Sequence, residues 1–495
     1  MTPEYISTSQ DYLNFFEEGF NDLPDCVRSR LAHDETLRHM RFQMLTFKPE
    51  FSRKILEGCY STKTGRRGMD PVLIVRSFLL MISYGCHSIT RWVKKVKTDI
   101  ELQFLLGQWK IPPVGSHYDF MYRILGIDPH MDKLYPKGKN PRPSWRKKKK
   151  YKRGEKANLD KDKTKRLAEE YSGNPHRDQN RLTRKIEQMF DLLAVRPSCE
   201  YFSILEEENL TFSGDGTALP VHSNPYGNRV ENPVDDKHTH RYTDPKADWG
   251  FDSYNEKFYF GHSLFEIAYH RKGLDLPMFM EKNPASTHDS IPMITAIAHM
   301  LDINPSLKPQ NMCFDAAGDG EPNHELLLDF DIRPFIKRNS HFKKADKVDL
   351  PKAKTAPNGT KEHFNKDGVP VCMSGVAMPR NGYDKKSKAS MFRCPLATGR
   401  IKSCPHAQEC NKTPYGRVLR VPDKTNRRLF GPIPYGSERW KEVYKNRTSC
   451  ERVNKRLLRD YHVEDITCRD GNKLLFYSIM AGILTHLDAW IKIGR

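Results

Sequence analysis

Two aspartates in this 495-residue sequence sit where a strand pattern gives out: Asp215 in LTFSGDG and Asp315 in QNMCFDAAGDG. Carboxylates that leave the ends of neighbouring strands gather where open α/β sheets bind ligands. Joined by a third acid, they can hold a pair of Mg²⁺ or Mn²⁺ ions through oxygen alone, as hard cations require. Two such ions roughly 3.5–4 Å apart stabilise both the attacking and the leaving oxygen of a phosphodiester. Each aspartate alone is equally an ordinary turn residue.

The third acid is Glu451, set among cations in YKNRTSCERVNKRLLRDY, residues 444–461. Successive residues of a helix turn by about 100°, which brings Tyr444, Arg447, Glu451 and Lys455 to one face. Cys450, Val453 and Leu457 share another, an apolar stripe able to lie on a sheet. On the polar face a glutamate could complete a metal site while its cationic neighbours hold phosphates. A solvent-facing helix laced with i,i+4 ion pairs would look the same.

Several elements must position these residues. From Leu210 the pattern predicts the strand LTFSGDG ending in a turn, then FYFGHSLFEIAYH and DLPMFMEKN joined by the RKG turn. A helix around SIPMITAIAHML, a strand QNMCFD, a helix EPNHELLLDF and a strand IRPFIKR follow, which together make a mixed α/β sheet. Residues 339–436 read as an insertion rich in Lys, Pro, Gly, Ser and Cys, and helices resume after it. Upstream, residues 70–125 are helical: Asp70-Pro71 opens one helix, Ser88 can cap the next, and Gly107 ends TDIELQFLLG. GSHYDFMYRIL offers one more, and the set reads as a helical bundle or a helix-turn-helix unit.

The formal net charge of +20 favours a polyanionic partner, nucleic acid ahead of an anionic membrane. Half of that charge lies in residues 142–166, with 13 Lys or Arg against three acids. The run includes Arg146, Lys147, Lys148, Lys149 and Lys150 and reads as a solvated linker that tracks phosphates, with Trp145 and Tyr151 available for stacking. PVLIVRSFLLMI and LLFYSIMAGILTHLDAWI fall short of the roughly 20 uninterrupted apolar residues of a membrane span and read as buried helices. The acidic start lacks the pattern of a secretory signal, and eleven cysteines fit a reducing cytoplasm better than a disulfide framework. Cys372, Cys394, Cys404, His406 and Cys410 could supply four Zn²⁺ ligands. The candidate set is Cys394, Cys404, His406 and Cys410, and free buried thiols are the alternative. His288-Asp289 in STHDS could assist the metal site or simply cap a helix. His238 and His240 in DDKHTHR could bind a metal transiently, and a solvated loop is the plainer reading.

The sequence resembles DDE transposases of bacterial insertion sequences, of the IS4/IS5/IS1182-like group with a Tyr-x2-Arg-x3-Glu signature. Tyr444, Arg447 and Glu451 match that spacing. SGDGTALPV looks like the first-aspartate strand and CFDAAGDG like the second. RYTDPKADWG with KFYFGHSL resembles the Asp-Pro-x-Ala and Phe-Gly-Tyr segments, and NPASTHDS is similar to a Thr-His-Asp-Ser turn. RRGMDPVLIVRSFLLM, DIELQFLLG and GSHYDFMYRI resemble the group's N-terminal helical domain, so the likeness covers most of residues 40–490.

The resemblance implies an RNase H-like core and Mg²⁺-dependent cleavage and joining of element ends in a synaptic homodimer. Asp215, Asp315 and Glu451 would be the metal ligands, while Tyr444, Arg447 and Lys455 would hold the DNA. The implied partners are terminal inverted repeats and target DNA, in the cytoplasm at the nucleoid and without a membrane. One departure is Leu458, where the signature has a lysine. The expected organisation is a helical DNA-binding domain at 1–130 and a basic linker at 131–195. The catalytic core occupies 196–338, the Cys-containing insertion 339–437, and the rest of the core, with the Glu helix and a C-terminal helix, 438–495. A non-catalytic DNA-binding derivative and an RNase H-like nuclease without strand transfer are the alternatives.

Overall fold

The computed structural model describes residue 6 and residues 8–60, 69–107, 111–127, 159–230, 239–253, 255–271, 273–339, 350, 353–365, 368–410, 413–425, 427–428, 430–433 and 435–493. The cations Arg146, Lys147, Lys148, Lys149 and Lys150 lie outside the described residues, as does His238.

The chain begins with helices α1 (Ser9–Phe20), α2 (Asp25–His33), α3 (Glu35–Thr46), α4 (Arg53–Glu57), α5 (Pro71–Ser83), α6 (Ile89–Thr98), α7 (Ile100–Leu106) and α8 (Val114–Ile124). Their ends follow the expected chemistry. The Asp70 carboxylate accepts from the Val72 N–H at 2.9 Å, Ser88 caps α6, and Gly107 closes α7 at φ +83, where a side chain would be strained. Helix α5 is buried almost throughout because neighbouring helices enclose it. Phe78 on α5 meets Phe476 edge-on at 4.7 Å, so these helices share one continuous apolar core with the end of the chain.

Helix α9 (Leu159–Gly173) corrects the reading of residues 142–166 as linker to the end, since the tail of that run is helical. The pairs Lys165–Glu169 and Arg166–Glu170 support it at i,i+4 spacing, and Ala168 and Tyr171 pack on Ile294, Ala298 and Leu326. Next come α10 (Arg184–Phe190), a π-helical turn at Asp191–Val195 and α11 (Arg196–Tyr201).

The sheet is built from β1 (Thr211–Pro220), β4 (Asp248–Asp252), β5 (Lys257–Arg271), β6 (Leu274–Pro284), β7 (Asn311–Phe314) and β8 (Arg333–Ile336), with β2 (Asn228–Val230) and β3 (Thr239–Arg241) as a separate hairpin. β4 and β6 lie end to end along one edge of β5, followed by β1, β7 and β8. The first three strands form an antiparallel meander, whereas β7 runs parallel to β1 and β8 parallel to β7. Helices α12 (Pro292–Ile303) and α13 (Glu321–Asp329) connect the parallel strands, giving the expected mixed α/β sheet. The hairpin strands and β4 are short, three to five residues, and were missed in the sequence.

The insertion is more ordered than its composition suggests. It holds the short pair β9 (His363–Phe364) and β10 (Pro370–Val371), a three-stranded sheet of β11 (Arg380–Asp384), β12 (Ala389–Arg393) and β13 (Val418–Pro422), and the single turn α14 (Ala407–Cys410). Its own small core contains Met378, Phe392, Leu419 and Phe430. Arg428 clips it to the main sheet by pairing with Asp319 at 2.6 Å. After it come α15 (Glu438–Tyr444), α16 (Thr448–Lys455) and α17 (Gly471–Ile493). By length and composition α17 could cross a membrane, but nearly all of it is buried against β6 and α5, as expected for a core helix.

The Asp-Pro-x-Ala and Phe-Gly-His segments anchor that helix. Asp244 accepts from His262 Nε2 and from the Gly471 N–H, both at 2.7 Å, and a Cβ at residue 471 would sit 2.2 Å from the imidazole. Burial alone would raise the Asp244 carboxyl, but the His262 and Gly471 hydrogen bonds outweigh it and hold it at about 2. Because the folded value is the lower one, the stabilisation is present above about pH 4 and fades as the pH falls towards about 2. Asp244→Asn is expected to cost about 2 kcal/mol at neutral pH and almost nothing at the acid limit, as urea midpoints across that range would show.

Candidate active site

Asp215 is not in a turn. β1 runs on through Gly214-Asp215-Gly216 to Pro220, which overturns the reading of a strand that ends there. The two glycines serve close approach instead. A Cβ at residue 214 would lie 2.3 Å from the Phe314 ring, and one at 216 would lie 2.8 Å from Asp289 Oδ1. Asp315 does follow its strand directly, and its Oδ1 accepts from the Ala317 N–H at 2.9 Å. β1 and β7 pair in parallel with Ser213 opposite Cys313, so Asp215 and Asp315 each stand two residues further along adjacent strands.

The helix above them is segmented, not one uninterrupted helix. α15 passes through a 3₁₀ turn at Lys445–Arg447 into α16, which ends in a π turn at Arg456–Asp460. The expected apolar stripe holds: Cys450, Val453 and Leu457 are each fully buried. Ser213 bonds Ser449 Oγ at 2.6 Å and Cys450 Sγ at 3.0 Å, fixing α16 onto β1, while Cys313 Sγ donates to the Val443 carbonyl. Ser213 and Asp215 face the same side of the sheet, so the residue two after the fixed contact looks towards the helix.

Arg447 bridges the acids. Its Nη2 donates to Asp215 Oδ2 at 3.0 Å and its Nη1 to Glu451 Oε1. Glu451 is solvent-exposed, whereas Asp215 is mostly covered. Burial pushes the Asp215 carboxyl up to about 7, against the pull of Arg447 and with the help of Asp315 and Asp289. Burial, then Asp315, also raises Asp289, which reaches this strand end from the turn before α12. Glu266 on β5 is the register partner of Asp215, is completely buried, and has neither carboxylate oxygen hydrogen-bonded. Burial and then Asp215 raise it well above the usual range. Sequence reasoning missed Glu266, because a lone acid in an apolar strand carries no motif; its register partner was the only signal.

The other expected residues divide. Tyr444 stacks on Trp440 with ring centroids 4.6 Å apart, and Trp440 in turn meets Tyr435 at 4.6 Å. Lys455 is exposed at the far end of α16. Leu458 is half-buried against the main core, so the position that the signature gives to lysine is an apolar contact here. His288 bonds Ser290 through Nδ1 and is exposed, so only Asp289 of that pair reaches the acids. Cys394, Cys404, His406 and Cys410 line a cavity in the insertion, with Cys372 also on its wall.

Far from these acids, the N-terminal helices carry a family signal. Residues 28–120 match the family model described as Transposase domain (DUF772). This stretch spans α2 to α8 and supports a transposase family for the chain. No curated protein matches it.

Among the described residues no three His, Cys, Asp or Glu side chains are grouped tightly enough to hold a metal as they stand. The donor set nonetheless suits a hard cation. Asp315 raises the charge cost of both Asp215 and Asp289, and the arginine that relieves Asp215 is shared with Glu451. A carboxyl whose folded pKa is raised contributes stability that is complete below about pH 4 and is lost as the pH rises through about 7. In EDTA, Asp215→Asn should therefore lack this slope and unfold at a higher temperature than wild type at alkaline pH, which thermal melts across the range would test.

Proposed function

We propose that this chain is a DDE-type DNA transposase that cuts and joins insertion-sequence ends by metal-dependent phosphoryl transfer. The observation that carries the reading is the placement of Asp215 and Asp315 at equivalent levels of parallel neighbours, with Glu451 joined to Asp215 through one guanidinium. The strand arrangement, an antiparallel meander followed by two parallel strands, agrees with an RNase H-like core. The transposase-domain match at residues 28–120 and the net charge of +20 point the same way.

Asp215, Asp315 and Glu451 would hold Mg²⁺ or Mn²⁺, which would polarise the scissile phosphate and favour the attacking water or DNA 3′-OH. Their own chemistry follows from the site. Burial leaves Asp215 short of compensating charge, so an incoming cation has a differential gain there. Arg447 then becomes available to a phosphate, whose planar geometry suits its fork of donors. Tyr444 presents a ring, stacked on Trp440, to the DNA end. The partners would be inverted-repeat ends and target DNA, bound by a homodimer at the nucleoid, and the IS4/IS5/IS1182-like group is the one we assign.

Asp215→Ala, Asp315→Ala and Glu451→Ala are each expected to abolish Mg²⁺-dependent nicking of the chain's own element ends while band-shift affinity persists; loss of binding in all three would overturn the roles. A pre-cleaved end separates a transposase, which joins it to target DNA, from a nuclease, which does not. A DNA-binding derivative would do neither. Arg447→Ala should reduce the salt slope of DNA binding by about one.

A further inference from the structure

The insertion gathers sulfur and imidazole side chains from two neighbouring segments. Cys394 directly follows β12, Cys404 and His406 precede α14, and Cys410 closes it. All of them line one cavity of about 440 Å³. His406 and Cys410 stand at i,i+4 spacing, with the Cys410 N–H donating to the His406 carbonyl at 2.9 Å, so they face the same way. The Cys394 side is held tightly: Gly416, at φ +75, passes so near that a Cβ there would lie 2.7 Å from Cys394 Cβ.

The five candidate ligands are not equivalent. Cys372 is 8% exposed and belongs to the apolar cluster with Met378, Phe392 and Leu419. Cys394, Cys404 and Cys410 are half-buried at the cavity wall, with Ser374 Oγ 3.0 Å from Cys404 Sγ. His406 has its Nδ1 3.1 Å from Glu409 Oε2. A proton on Nδ1 leaves Nε2 with its lone pair, the carboxylate–histidine arrangement that orients metal-ligating imidazoles. Lys354 Nζ donates to the Cys410 carbonyl at 2.7 Å, and the Arg417 guanidinium on the cavity wall is paired with Glu362 at 2.6 Å.

We infer that the insertion carries a structural Zn²⁺ site of Cys394, Cys404, Cys410 and His406, with Cys372 left as a core thiol. Three thiolates and one imidazole are a regular tetrahedral zinc set. The side chains line the cavity without yet forming a closed sphere, so binding would draw the 394–417 loops together. Three of the four ligands fall within seven consecutive residues, and the fourth comes from the adjoining strand end. The site lies in the insertion and does not depend on the chemistry of Asp215, Asp315 and Glu451.

The test uses the full chain, expressed with added zinc and gel-filtered under reducing conditions. Atomic emission should find stoichiometric zinc in the wild type and in Cys372→Ser, and a several-fold loss in Cys404→Ser and His406→Ala. Cobalt substitution should give a thiolate-to-metal charge-transfer band. Should the cysteine variants fail to fold, the wild type decides: its thiols reactive towards Ellman's reagent should rise by three when a chelator is added. A folded wild type with no bound zinc, no cobalt–thiolate band or no such rise would overturn the site. So would zinc retained in His406→Ala but lost in Cys372→Ser.

Discussion

Ionised carboxylates buried together repel one another and lose their hydration, and the region around Asp215 faces that constraint directly. Asp289 and Asp315 raise its charge cost, Glu266 lies across the strand with no hydrogen-bond partner, and Arg447 supplies compensation. The arginine reaches Asp215 because Ser449 and Cys450 press α16 onto Ser213, two residues earlier on the same face of β1. Burial outweighs that compensation, so removing the arginine would drive the Asp215 carboxyl further towards its neutral form. The helix, the strand and the charge balance therefore stand or fall together.

The rest of the fold serves this junction from a distance. The largely apolar α17 fills the space behind β6 and ties the sheet to the N-terminal helices through Phe476 and Phe78. Asp244 and His262 lock the start of α17 to β5. On the opposite side, α12 brings Asp289 to the strand end, and the missing side chain of Gly216 gives it room. The insertion, clipped on by Arg428 and Asp319, sits between β8 and the helix that carries Glu451.

How much of this was legible in the sequence depended on whether the signal was local. Helix caps such as Asp70 and Ser88, the apolar stripe of Cys450, Val453 and Leu457, and the order of strands from β5 to β8 all follow from short-range periodicity. Gly214-Asp215-Gly216 misled because a turn and a crowded strand favour glycine for different reasons, and only the positions of Phe314 and Asp289 distinguish them. The segmented helix could not be read from a uniform 100° projection. Glu266 and the bridging role of Arg447 depend on strand register and on contacts more than 200 residues apart, which no single stretch of sequence encodes.

In the proposed function Asp215, Asp315 and Glu451 would form one cation site in which Arg447 is the displaceable charge. The most direct measurement is a crystal structure of the chain with element-end DNA and Mn²⁺, using the anomalous signal of the metal. The expected result is Mn²⁺ bound to Asp215 and Asp315, with Arg447 turned from Asp215 to a DNA phosphate. Manganese absent from these carboxylates, with Arg447 still bridging Asp215 and Glu451 beside bound DNA, would contradict it.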